Sequence, residues 1–219
     1  MTFKAYLDTL PAKIEAETAA VGLAVLFIVC VLALHVMRVD LDPSARMLSE
    51  YALSPTGWVM ALAFFALSGS FFALAAAVRR DLRGVLGVLG LIALLLAAIG
   101  AAMGGLFPMD PVGTPLAQFS TSAKLHEVAF MLGGPGTLLA ATFVNWSLAR
   151  NPAWQRSRSM LAWTAALVWI VTVAFSVSMA LLLNQNPSAE HLVGWLNRAL
   201  VASWVVWTIA VARHSRRIP

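Results

Sequence analysis

Three groups of polar residues in this 219-residue chain carry side chains suited to acid–base, nucleophilic or charge-recognition chemistry. The first is Ser49-Glu50-Tyr51 in the stretch RVDLDPSARMLSEYALSPTGW, where a hydroxyl, a carboxylate and a phenol are adjacent. The second is Asp110 with His126, flanked by Lys124 and Glu127, at the two ends of GLFPMDPVGTPLAQFSTSAKLHEVAF. A histidine beside an aspartate can serve as an oriented general base, and Ser49 supplies a nucleophile of the type that acyl transfer needs. The third is His191, Gly194 and Arg198, whose i, i+3, i+7 spacing predicts one helical face with Arg198 about two turns below the preceding loop. An arginine at that depth in an apolar segment is costly unless it faces the bundle or a wet cavity and meets an acid or an anionic ligand. Asp110, Glu127 and Glu50 are the acids available to it, and snorkelling of the side chain to the interface is the alternative.

Each group also has a purely structural reading. Asp42 is a good N-cap and Pro43 a good first helical residue, so a short interfacial helix is expected, lying on the membrane surface or folding back over the bundle. It carries Met47, Leu48 and Tyr51 on one face and an Arg46–Glu50 pair at i,i+4 on another. Pro108, Pro111 and Pro115 stiffen the turn that holds Asp110, and Ser120, Thr121 or Ser122 can cap the helix that follows. His35 and His126 could ligate a haem from facing helices, and zinc could be taken by His35, Asp110, His126 or His191. No HExxH or other compact ligand spacing supports the metal, and the cofactor stays unknown.

These residues must be positioned by membrane-spanning helices. With 60% hydrophobic and 11% charged residues and a mean hydropathy of +0.82, the chain cannot cover itself with the polar surface of a soluble domain. Six apolar runs of about the 20 residues that a bilayer requires span 19–37, 56–78, 84–107, 125–149, 160–184 and 191–212. They lack strand-like alternation, so the expected fold is an all-α integral membrane protein with six transmembrane helices. The expected organisation is an N-terminal arm at 1–18, a single six-helix domain at 19–212 and a basic tail at 213–219.

The charge distribution predicts the topology. Eleven of the 15 basic residues fall on one side, in the arm, after spans two and four, and at the C-terminal end; only Arg38, Arg46, Lys124 and Arg198 fall on the other. The positive-inside rule then puts both termini in the cytoplasm and the three groups outside. This distribution makes the basic residues topology signals and argues against a nucleic-acid partner. All acids except Asp8, Glu15, Glu17 and Asp81 share the outer side. The first span is expected to be retained rather than cleaved, and Phe3, Tyr6, Leu7 and Leu10 could form an interfacial helix ended at Pro11. The single cysteine, Cys30, excludes an intramolecular disulfide. Gly133, Gly134, Pro135 and Gly136 predict a kink or a close helix contact in span four. Asp42-Pro43, Asp110-Pro111 and Asn186-Pro187 follow the odd-numbered spans, and Gly57-Trp58 echoes Gly194-Trp195, as three similar hairpins would.

The strings RVDLDPSARMLSEYALSPTGWVM and GLFPMDPVGTP, the KLH opening span four, and a Gly followed by Arg198 in span six resemble a bacterial and archaeal membrane family, domain of unknown function 998. The resemblance covers roughly residues 20–212 and is most specific at SEYA and FPMD. It implies a six-helix fold in a prokaryotic cytoplasmic membrane and marks Ser49, Glu50, Tyr51, Asp110, His126 and Arg198 as a polar set, without implying an activity. The expected function is binding or transport of a lipid-like or small anionic ligand on the outer side, with Arg198 and Lys124 holding its head and a membrane lipid or small amphiphile as partner. The enzymatic alternative is an intramembrane hydrolase, possible metal assistance included, with His126 as base, Asp110 orienting it and Ser49 as nucleophile. Its residue types are similar to those of the metal-dependent hydrolases that include alkaline ceramidases, whose multiple-histidine pattern is not reproduced here. Haem-based electron transfer is the third reading.

Overall fold

The computed structural model describes residues 10–111 and 114–215. Six helices cross it: α1 Leu10–Met37, α2 Gly57–Val78, α3 Gly84–Leu106, α4 Thr121–Arg150, α5 Arg158–Leu183 and α6 Val193–Ser215. All six are long and apolar enough to cross a membrane, and no strand occurs among the described residues. At 22 to 30 residues they measure roughly 33 to 45 Å, so each is long enough to span a hydrocarbon core of about 30 Å. The expected helix over Phe3, Tyr6 and Leu7 lies outside the described residues. Pro11 falls in the first described turn of α1, and residues 10–18, expected in the arm, are helical. At the other end α6 runs on to Ser215 rather than stopping near residue 212.

Small residues set the helix packing. A Cβ added at Gly100 on α3 would come within 2.6 Å of the Ala129 carbonyl oxygen on α4, an approach that only glycine permits. The glycine-rich stretch of span four therefore serves close helix contact, and α4 is helical through Pro135. Polar ties gather at the basic end. Lys13 pairs with Asp81 at 3.4 Å, Asn151 Nδ2 donates to the Asp81 carbonyl at 3.0 Å, and the Ser215 hydroxyl donates to Glu17 at 2.8 Å. The start of α1, the α2–α3 and α4–α5 connections and the end of α6 thus share one face, as the charge pattern predicted. Within that half Asn145 of α4 donates to the Leu161 carbonyl of α5 and accepts from Trp207 Nε1 of α6, at 2.7 and 2.9 Å, locking three helices together.

The opposite face carries the longest connection, between α1 and α2. Asp42 caps its first turn, accepting from Ser44 N at 2.8 Å, but the expected helix does not continue from Pro43. The backbone is extended at Met47 and re-forms as a 3-10 turn over Leu48–Ala52 that buries Leu48, Glu50 and Tyr51. Tertiary bonds displace the local helix: Ser44 O accepts from Gly194 N at 2.8 Å, and Leu48 N donates to Asn197 Oδ1 at 2.9 Å. The segment folds back over the bundle and roofs it. A Cβ on Gly194 would overlap the Pro43 carbonyl and approach the Ser44 carbonyl to 2.6 Å, which explains the glycine one turn before Arg198.

Candidate functional site

Arg198 reaches inward from α6 and grips this roof. Its Nε donates to His35 Nε2 at 2.8 Å, Nη1 to the carbonyls of Arg46 at 2.6 Å and Gly194 at 3.0 Å, and Nη2 to the Tyr51 hydroxyl at 3.0 Å. Four of the five guanidinium hydrogens are thereby used. The His35 ring also bonds the Val31 carbonyl through Nδ1 at 2.7 Å and lies 5.2 Å from the Tyr51 ring. The tautomer that satisfies both contacts carries its proton on Nδ1 and accepts at Nε2.

This geometry corrects the expected partners of Arg198. No acid forms an ion pair with it among the described residues. Glu50 is turned to its own segment, accepting from Met47 N at 2.8 Å and from Arg46 at 3.3 Å, so the i,i+4 pair forms but is not available to Arg198. Glu127 and Lys124 are exposed, and neither is joined to Arg198. His191 precedes α6, so it does not extend the Arg198 face; its Nδ1 lies 3.2 Å from the Ser44 hydroxyl and 3.8 Å from Asp42. Asp42 is held below the usual carboxylate range by the Ser44 N–H and hydroxyl, with further contributions from the positive fields of His191 and Arg198.

Asp110 does not orient His126. Both of its oxygens accept from Ser120, from the backbone N–H at 2.7 Å and the hydroxyl at 2.8 Å, while that hydroxyl caps α4 by accepting from Ala123 N at 3.1 Å. His126 is oriented instead by the Phe107 carbonyl, which lies 2.7 Å from Nδ1, so its Nε2 is the acceptor nitrogen. With both nitrogens of His35 engaged, the expected haem pair of His35 and His126 is not formed by these side chains. Among the described residues no group of three or more His, Cys, Asp or Glu side chains could hold a metal, so the expected zinc ligands are not brought together.

The structure does bring Ser49 and His126 to one place. Both line a cavity of about 90 Å³ under the roof, bounded by α1, α2, α3, α4 and α6. Its walls are apolar, with Phe27, Met60, Leu67, Phe71 and Leu200 among them, and its hydrogen-bonding side chains include Ser49, His126 and Asn197 at the outer end. Phe71, near the deep end, lies about 20 Å below the outer end of α2 at 1.5 Å per residue. Among the described residues Ser49 donates to the Met109 sulfur, at 3.3 Å, a weak acceptor. The rings of Phe64 and His126 meet near-perpendicular, with centroids 6.1 Å apart. Asn197 was passed over in the sequence, although a polar amide next to Arg198 inside an apolar span was the signal that could have found it.

A family model for proteins of unknown function (DUF998) matches residues 21–214. The chain belongs to this family. The match runs from about three turns into α1 to the end of α6, so it contains the roof, the Arg198 clamp and the whole cavity. No curated protein and no solved structure matches the chain.

Proposed function

We propose that this multi-pass membrane protein binds a lipid-like amphiphile, with an apolar chain in the cavity and a polar head at His126, Ser49 and Asn197. The observation that carries this reading is the polarity gradient of the cavity: Ser49, His126 and Asn197 at the outer end and mostly apolar walls running down to Phe71, about 20 Å below the outer end of α2. The depth of His126 supports it. With the 30-residue α4 centred on a hydrocarbon core of about 30 Å, His126 lies about 14 Å from the midplane, where a lipid chain joins its head. Arg198, expected as the ligand for an anionic head, takes the role of holding the roof. Native mass spectrometry of protein extracted directly into nanodiscs tests the reading. A lipid-mass adduct is expected on the wild type and on Gly22→Ala, and its loss on Ala101→Phe, which fills the cavity. Wild-type protein that releases no bound lipid would contradict it.

A second reading is favoured by Ser49 and His126 lining the same cavity. In an acyl transfer Ser49 Oγ would add to an ester carbonyl while His126 Nε2 takes its proton and passes it to the alcohol oxygen as the ester C–O bond breaks, leaving the acyl group on Ser49, with the Phe107 carbonyl in the orienting role expected of Asp110. An acyl adduct on Ser49, absent from His126→Ala, would distinguish catalysis from binding alone. We further take the basic face as cytoplasmic and the roof as extracytoplasmic, supported by the eleven-to-four charge division, in the cytoplasmic membrane of a prokaryote as the family resemblance implies.

A further inference from the structure

We infer that the occupant of the cavity is drawn sideways from the outer leaflet of the bilayer, through a gap between α4 and α6 that the Phe130–Phe175 pair closes. This inference rests on the amphiphile-binding reading. On the basic half α4 and α6 are joined through Asn145 and Trp207. On the outer half the cavity lies between them, with Phe130, Gly133 and Gly134 of α4 on one side and Leu200 and Trp204 of α6 on the other. No residue of α5 is among those lining the cavity, so α5 stands outside the gap and forms none of its walls.

Phe130 is the only exposed residue among the described residues that line the cavity, 43% exposed, so the cavity wall reaches the outer surface of the bundle there. That surface is lipid. Centring α4 on the hydrocarbon core puts Phe130 about 8 Å from the midplane, among acyl chains and well below water. Phe175 of α5, 4% exposed, meets Phe130 edge to face with ring centroids 6.2 Å apart. No hydrogen bond crosses this contact, so rotation of two side chains or a small outward movement of α5 opens it. A chain from a neighbouring lipid then slides in below its own head, which stays level with His126, and no head has to cross hydrocarbon. The roof on the aqueous side is closed more firmly, by Arg198, Asn197 and the Gly194 backbone.

The test uses the full chain in phosphatidylcholine vesicles whose lipid carries a photoactivatable group at the end of one acyl chain. In a Cys30→Ser background, Phe130→Cys and Phe175→Cys are joined by a reducible bis-thiol reagent. Lipid-mass labelling of α2 and α6 peptides is expected without the link, is expected to be lost when the link is closed, and is expected to return on reduction. Phe130→Ala alone, in otherwise unaltered protein, should label faster than the wild type, which keeps the proposal testable if the double variant folds poorly. Labelling indifferent to the link, or from a short-chain probe in water but not from vesicle lipid, overturns the lateral route and leaves the cavity reading standing. Absence of labelling from either source in unlinked protein overturns both.

Discussion

Arg198 is a cation whose bonds all run to neutral acceptors: a histidine nitrogen, two backbone carbonyls and a phenol. Truncating it leaves His35 Nε2, Tyr51 and the Arg46 carbonyl without their donor, at a cost of about 1–3 kcal/mol for each group left unsatisfied. The loss falls on the roof, because α3 and α4 are packed without it. Arg198→Ala is therefore expected to speed amide hydrogen exchange across residues 46–51 and leave α3 and α4 protected. Arg198→Lys should recover only part of the protection, since a single ammonium cannot reproduce the planar fork that reaches α1, the roof and α6 together. Unchanged exchange across 46–51 in Arg198→Ala would remove the clamp from the account.

Between elements, how closely two helices can approach depends on what a side chain would strike. Gly100 faces the backbone of α4, whereas a Cβ added at Gly22 on α1 meets nothing within 4 Å. Gly22→Ala is accordingly expected to be neutral or stabilising by up to about 1 kcal/mol, through helix propensity alone. Gly100→Ala should destabilise by about 1–3 kcal/mol, since two helices must separate to admit one methyl group. Thermal unfolding of the two variants in one detergent compares them directly, and equal midpoints would mean that α3 and α4 are not held at this distance. The 3-10 turn over Leu48–Ala52 illustrates the reverse dependence. Its sequence favours a helix from Pro43, but bonds from Gly194 and Asn197 to Ser44 and Leu48 outweigh that local preference.

For the molecule as a whole, charge and hydropathy together define two faces, one basic and closed by side-chain ties, the other carrying the roof over the polar end of the cavity. Reporter fusions after Arg83 and Arg158 are expected to report cytoplasm, and fusions near Val112 and Asn186 the exterior. An exterior signal from either basic loop would invert the assignment and turn the His126 end of the cavity to the cytoplasm.

Much of this architecture was legible in the residues alone. Six apolar runs dictate six helices because a backbone in lipid must satisfy itself, and the basic loops predict their shared face because few arginines cross a bilayer. Arg198 was legible as an inward-facing residue for the same reason: its charge inside an apolar span is too costly to leave without partners. Which partners it takes was not legible. Charge alone favours Glu50, Glu127 or Asp110, yet Glu50 is closer to Met47 N and Arg46, and Asp110 to Ser120, so local geometry uses those two carboxylates before Arg198 can reach them. The grouping of Ser49 with His126, and the exposure of the cavity-lining Phe130 at the bundle surface, also required the tertiary structure. A cavity is the space left between side chains of five helices and a folded-back loop, and residues 77 positions apart share it only when all of those packing contacts have formed.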